Sequence, residues 1–456
     1  MSSFAAPNAA LADGLPTPRR YQAIAALLAA ISMTVLDGGI ANLALPSIAQ
    51  VLNVDAAASV WIVTAYQLAL VALLFPLSAL AERVGLKRVF IGGVMMFSLA
   101  SLGCALASNL TSLVISRALQ GAGASAIMCV SAGIVRLTYP KRLLGRGIGI
   151  NALCVALNSA LAPSLGAAIL TYASWPWLFA INLPISVLVL LMFRALPTSP
   201  RASRRLDPLS VMLNIGLFCM GISGLERLAE QPLLGVPLLM AATGCLVALL
   251  RHERSNPAPL LPVDLLQYPL FRHAMLASLC AFAAQMLCFI ALPFYLQHQL
   301  GFTPLHTGAL MMAWPLAVAV AAQVSGRLAD VYPPQRLCVF GGLGIAAGLA
   351  GMALWPMDEH SLPLVLFLCL SGIGFGFFQV PNNRVLLTST PQARSGATGG
   401  MQAAARQTGM ALGAALIAVL LGLLPDQAPR TGLAIAAVLA MLSAAVSAKA
   451  LRHRTE

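Results

Sequence analysis

The feature that most constrains this chain is its succession of long apolar runs. Stretches of about 19–30 residues, nearly free of charge, recur from residue 21 to residue 450. About 20 apolar residues in a helix cross a hydrocarbon core roughly 30 Å thick, and no soluble core absorbs so many such runs. Fourteen spans are read at 21–45, 57–80, 89–107, 110–136, 147–171, 177–195, 208–227, 233–251, 273–297, 304–326, 336–355, 361–387, 395–424 and 430–450. Only 9% of the 456 residues are charged and 59% are hydrophobic, so the expected fold class is an all-α integral membrane protein.

The loops test that count. Basic residues fall in alternate loops: Arg83, Lys87 and Arg88; Lys141, Arg142 and Arg146; Arg201, Arg204 and Arg205; Arg251 and Arg254; Arg327 and Arg336; Arg394. The opposite loops hold Arg227 and Arg430 beside the acids Asp55, Glu226, Glu230, Asp358, Glu359 and Asp426. Cytoplasmic loops collect Arg and Lys. The net charge of +13 therefore reads as membrane orientation, with both termini cytoplasmic, and no nucleic-acid partner is expected. Residues 1–20 are Pro/Ala-rich and read as a disordered cytoplasmic N-terminus, and the apolar run behind Arg19-Arg20 reads as an uncleaved span.

The two ends of the chain repeat one another. Ser78-Ala-Leu-Ala-Glu82 matches Gly326-Arg-Leu-Ala-Asp330; Gln120-Gly-Ala-Gly123 matches Ser371-Gly-Ile-Gly374; Pro140 matches Pro391; Gly166-Ala167 matches Gly413-Ala414. The offsets stay within 247–251 residues, so a six-span unit is duplicated around two inserted spans. The expected division is a six-helix bundle over 21–195, inserted spans 7 and 8 with their cytoplasmic flanks over 196–272, a second bundle over 273–450 and a tail over 451–456. Parallel six-span repeats around a central path are the architecture of the major facilitator superfamily.

Four stretches carry a resemblance to the 14-span drug:proton antiporters of that superfamily. Leu36-Asp-Gly-Gly-Ile-Ala-Asn-Leu-Ala-Leu-Pro46 resembles the LDxTIVNVALP element of span 1, with Gly39 where Thr is usual. Ser78–Arg88 resembles the GxLADRxGRK loop. That resemblance implies a conformational latch of Glu82, Arg83, Gly85, Lys87 and Arg88, with Asp330 at the repeated position. Arg117-Ala-Leu-Gln-Gly-Ala-Gly123 is similar to the RxxQGxG element, whose Arg is associated with proton transfer. Span 5 keeps only Pro163 and Gly166 of the antiporter element GxxxGPxxGG, with Asn158, Ala162 and Ala167 at the remaining glycine positions. The resemblance implies a monomeric multidrug exporter of a bacterial inner membrane, driven by the proton gradient without a cofactor.

The residues themselves point the same way. Asp37 lies 16 residues into span 1, roughly 24 Å along a helix. An acid within a membrane span marks a proton or substrate path by default. Arg117 lies seven residues into span 4, which runs the other way, so the two match in depth. They read as a pair or water-bridged relay that titrates during transport, extended by Asn42, Tyr66 and Gln120; a structural ion pair with no cycle is the alternative. Asp37 is expected to be the one deeply buried carboxylate, and Glu226 a solvated interfacial charge. Arg406 reads as a structural group of span 13 or a substrate contact, and Arg384 as lining the inner mouth or snorkelling. Apolar, aromatic and polar candidates for the cavity wall are Trp61, Gln67, Gln285, Met286, Trp314, Phe378 and Gln379.

Other chemistries find no support. The lysines Lys87, Lys141 and Lys449 follow no GxxxxG, so no P-loop is present. The nine cysteines fall within or at the edges of apolar runs without a CxxC pair, and the six histidines sit at loops or span ends, so no metal site is expected. The function expected is proton-coupled efflux of hydrophobic or cationic small molecules by alternating access, not an enzyme. A transporter of one metabolite is the first alternative, and a membrane sensor or membrane enzyme is the second.

Overall fold

The computed structural model describes residues 14–140, 143–199, 207–255, 259–355, 361–391 and 394–452. The loop charges Lys141, Arg142, Arg201, Arg204, Arg205, Asp358 and Glu359 lie outside the described residues, as do 1–13 and 453–456. Within hydrocarbon each backbone N–H and C=O must be satisfied inside its own segment, which leaves helices as the element available to runs of this composition. The first six spans are α1 (Thr17–Leu52), α2 (Ala56–Val84), α3 (Leu86–Ala105), α4 (Leu110–Thr138), α5 (Leu144–Tyr172) and the pair α6 (Trp177–Ala180) and α7 (Asn182–Leu191). Then follow α8 (Pro208–Glu230) and α9 (Pro232–Ser255). The last six spans are α10 (Pro269–Phe294), α11 (Pro304–Met311) with α12 (Ala313–Leu328), α13 (Pro334–Leu354), α14 (Ser361–Thr388), α15 (Ser395–Leu423) and α16 (Ala428–Arg452).

Two details depart from the sequence reading. The first helix begins at Thr17, so residues 17–20 are helical rather than disordered. Pro18 favours a helix start, and Arg19 Nε donates to the Ala195 carbonyl at 3.1 Å, which ties that start to the end of the sixth span. The sixth span is broken. Among the described residues thirteen helices are long and apolar enough to cross a membrane, and the fourteenth segment, Trp177–Leu191, is shorter and interrupted at Ile181. Pro184 cannot donate to the carbonyl four residues back and its ring crowds that carbonyl, so the helix restarts at Asn182.

The first bundle is held by α1 on α5 and by α2 and α3 on α4; the second by α10 on α15 and α16 and by α14 on α12 and α13. The duplicated glycines make duplicated contacts. A Cβ at Gly121 would run into the Tyr66 carbonyl, and one at Gly372 into the Trp314 carbonyl. Small residues of this kind let helix backbones approach where lipid offers no hydrophobic drive to association.

The bundles meet along three seams. Where α1 faces α10, Gln297 Nε2 donates to the Leu43 carbonyl at 3.2 Å and Asn42 Nδ2 lies 3.7 Å from Met286 Sδ. Where α5 faces α11, Gly308 sits against the Pro163 carbonyl and Ala167. Along the third seam α2 lies on α15. The inserted helix α8 packs on both α2 and α15, one helix from each bundle. Its first turn is capped by Asp207, whose carboxylate accepts from Leu209 N at 3.1 Å and Ser210 Oγ at 2.8 Å and pairs with His252 of α9.

Candidate functional site

The centre of the first bundle holds an ion pair cut off from solvent. Arg117 Nη1 donates to Asp37 Oδ2, and both side chains are fully enclosed. Burying two charges is repaid only if their remaining donors and acceptors also find partners. Here they do. Asp37 Oδ1 accepts from Gln120 Nε2 at 2.8 Å and from Asn182 Nδ2 at 2.9 Å. Ser101 Oγ accepts from the same two amides at 2.8 and 3.4 Å. Arg117 Nε donates to the Ile62 carbonyl at 2.9 Å and Nη1 to Gln120 Oε1 at 2.6 Å. Arg117 Nη2 has no hydrogen-bond acceptor, but the guanidinium lies 4.3 Å from the Tyr66 ring centroid and 5.5 Å from that of Phe179. Aromatic faces of this kind stabilise a cation.

Local sequence explains the assembly. Arg117 and Gln120 are one helical turn apart and point to the same side of α4. Gly121 brings α4 onto α2 at Tyr66, which sets the ring beside the guanidinium. The break before α7 places Asn182 at a helix start, aimed at Asp37. Of the two glycines beside the acid, Gly39 abuts Ala162 of α5, at the span 5 element, while a Cβ at Gly38 would meet nothing. Gly39 thus serves contact between helices.

The sequence-derived candidates divide into three groups. Asp37, Arg117, Gln120 and Tyr66 come together; Asn42 does not join them, because its amide turns to Met286 across the bundle seam. Pro163 and Gly166 meet α11 and Ile40 of α1 respectively. The third group is scattered. Gln67 is buried, Trp61, Gln285, Gln379 and Arg406 are half-buried, and Trp314 and Phe378 are enclosed in the second bundle beside Phe375. Arg406 has no acid near it among the described residues. Gln402, one turn away, donates to Asn383 Oδ1 at 2.6 Å.

The loop candidates make contacts within their own bundles. Gly85 turns the corner between α2 and α3 at φ 101°, a conformation that suits glycine. Leu86 N donates to Ser199 Oγ at 2.9 Å, and Lys87 Nζ lies 5.5 Å from the Phe193 ring. Glu82, Arg83 and Arg88 are exposed. Asp330 pairs with Arg384 at 2.5 Å, and both side chains are exposed.

Three expectations need correction or addition. Glu226 is not solvated: only 8% of its surface is exposed. Asp37 is therefore not the one buried carboxylate, because Glu226 and Glu253 are buried as well, though both lie near helix ends. Asn182 and Ser101 belong to the network and were not singled out from sequence. Asn182 carried a legible signal, as the one amide of its span and two residues before Pro184; Ser101 carried none, since lone serines are common in membrane helices.

An enclosed ion pair thus lies inside one of two repeated six-helix bundles, in a chain of membrane-spanning helices. Residues 23–414 match the Major Facilitator Superfamily, and the chain belongs to that family. It is 44% identical over 443 residues to "Uncharacterized transporter YebQ" of Escherichia coli K12, covering 96% of each chain. It is 29% identical to "Riboflavin transporter RibZ" of Clostridioides difficile, covering 84% of each. It is 28% identical to the "Tetracenomycin C resistance and export protein" of Streptomyces glaucescens, covering 88% of this chain and 76% of that one. A bacterial homologue of the lysosomal transporter Spinster, solved inward-facing and unoccupied, shares the fold at TM-score 0.69 and 13% identity over 96% of this chain and 98% of that one.

Proposed function

We propose that the protein is a proton-coupled exporter of hydrophobic small molecules, working by alternating access in a bacterial inner membrane as a monomer with cytoplasmic termini and no cofactor. The observation that carries this reading is the enclosed Asp37–Arg117 pair. Asp37 is the proton carrier and Arg117 its counter-ion. When Asp37 takes a proton, the guanidinium keeps the Ile62 carbonyl, Gln120 and the Tyr66 face but loses its balancing charge. Removing one partner of a buried pair costs about 3–5 kcal/mol. Moving a two-state equilibrium from 1:99 to 99:1 takes about 5.5 kcal/mol. One proton thus supplies most of a conformational switch, by making the closed bundle around Arg117 unfavourable until water or substrate reaches it.

Other residues take supporting roles. Pro163 and Gly166 sit where α5 meets α11 and α1, a joint that alternating access must work. Glu82, Arg83, Gly85, Lys87, Arg88 and Asp330 form the loop latch of the duplicated motif. Trp61, Gln67, Gln285, Met286, Trp314, Phe378, Gln379 and Arg406 are the candidate wall of the path, with the enclosed ones reached only in another conformation.

Export agrees with the printed function of the tetracenomycin relative, and a path for one metabolite agrees with that of the riboflavin transporter. The two readings share the proton step and differ in substrate range. Reconstitution in proteoliposomes with an internal pH dye, against riboflavin and a panel of amphipathic cations, tests both. Substrate-dependent proton movement in the native protein, lost in Asp37→Asn, is expected. Unchanged movement in Asp37→Asn removes the assignment, and a response to riboflavin alone selects the metabolite reading.

A further inference from the structure

A second buried acid stands apart from the ion pair. Glu226 lies near the end of α8, on the face that packs against α2 and α15. It is 8% exposed, and the polar group beside its carboxyl oxygens is the Thr64 hydroxyl of α2. One turn further along α2, Gln67 Oε1 is buried without a hydrogen-bond partner. The α8 face is continuous. Asn214 donates to the Ala72 carbonyl at 2.7 Å, and Ile222 packs with Leu68, Ala411 and Ala415. The charge that acts on Glu226 is that of Arg227, exposed next along the helix; α2, α9 and α15 bring no ionisable group to it among the described residues.

An ionised carboxylate enclosed without a buried counter-ion, with one hydroxyl beside it, is costly, and such groups neutralise instead. The contrast with Asp37 is direct, since Asp37 has one cation and two amides on it. We propose that Glu226 is a second proton-binding site of the transporter. It carries a proton while α8 lies on the α2–α15 seam and releases it when the seam parts. Because α2 and α15 belong to different bundles, the seam they form is one that alternating access changes. This site binds a proton and does not touch the Asp37 network. The proposal rests on the transport reading, but its first test does not.

That test is infrared difference spectroscopy of the purified protein in lipid nanodiscs across a pH titration. A protonated-carboxyl stretching band is expected in the native protein and in Asp37→Asn, and is lost in Glu226→Gln. A band unaffected by Glu226→Gln overturns the proposal. Glutamine keeps the shape and neutrality of the protonated side chain, so the variant is expected to fold. Thr64→Val, which leaves the acid in place, should shift the band's frequency, and an unmoved band places the acid elsewhere. The second test counts protons per substrate from the reversal of flux against imposed pH gradients. Glu226→Gln is expected to lower the count by one, and an unchanged count overturns the coupling. If the native protein moves no protons with any substrate, the transport proposal fails while the infrared result still decides on Glu226.

Discussion

The two bundles pack alike and differ in what the packing encloses. At the offset that relates Gly121 to Gly372, Arg117 falls on Leu368 and Gln120 on Ser371. The contacts of Gly166 with Ile40 and of Gly413 with Ala283 and Met286 place Asp37 opposite the alanine pair Ala283-Ala284. Tyr66, beside Gly121, answers to Trp314, beside Gly372. In the first bundle these positions hold an ion pair, two amides and a cation–π contact. In the second they hold apolar side chains and one buried serine, Ser371, with Trp314 against the rings of Phe289 and Phe375. Duplication therefore carried over the small residues that set helix distance, while the charge sits in one half.

The largest expected effect tests that asymmetry directly. Asp37→Asn should lower proton-coupled transport at least ~100-fold and destabilise the protein by about 3–5 kcal/mol, because Arg117 is left buried without an acid. Leu368→Ala, at the counterpart of Arg117, should cost a similar ~2–5 kcal/mol through the cavity it leaves. Thermal melts should not tell these two apart, whereas protons moved per substrate should be unchanged in Leu368→Ala. A changed ratio there would mean that the second bundle shares the proton chemistry.

Asn182→Ala comes next. It removes one charge-assisted hydrogen bond from Asp37, about 1.5–3 kcal/mol, and should slow proton-coupled transport more than it lowers the melting temperature. If a denaturation series shows the stability loss without a transport defect, Asn182 is only packing. Gly121→Ala and Gly372→Ala each force a backbone carbonyl apart, for about 1–3 kcal/mol of overpacking. Equal stability losses with a transport defect in Gly121→Ala alone, where Tyr66 is displaced from Arg117, sharpen the comparison; equal transport defects weaken it.

The smallest effects belong to the exposed pairs. Asp330→Asn should cost under ~1 kcal/mol, since that pair is 44% and 70% exposed against zero for both members of the central one. Asp207 adds a pH signature. The Ser210 hydroxyl, with His252 and the Leu209 N–H, holds its carboxyl below the usual Asp range. A group so lowered contributes stability above its unfolded value and loses it as pH falls through its folded value. The melting difference between the native protein and Asp207→Asn should therefore be present at neutral pH and vanish in strong acid, and a difference that persists there contradicts the assignment.

Much of this was legible in the chain. The apolar runs located the helices, and the constant offset pointed to the duplicated contacts. Asp37 and Arg117 stood out because a charge inside an apolar run is costly and needs a reason. Glu226 was misread from its position: four residues from a helix end, it looked solvated, and only the packing of α8 on two other helices buries it. Asp330 and Arg384 are 54 residues apart, and nothing local links them.

Composition and periodicity thus determined that this chain spans a membrane as helices, in two related halves, with one acid and one base buried at matching depth. Those properties follow from each segment's own contact with lipid and from helical rise, which are local. Tertiary structure alone decided that Asn182 joins Gln120 on Asp37 with Ser101 behind both amides, that Asn42 turns away, and that α8 closes over Glu226. Each of those outcomes depends on which faces of distant helices meet, a choice made by packing among segments rather than by any one of them.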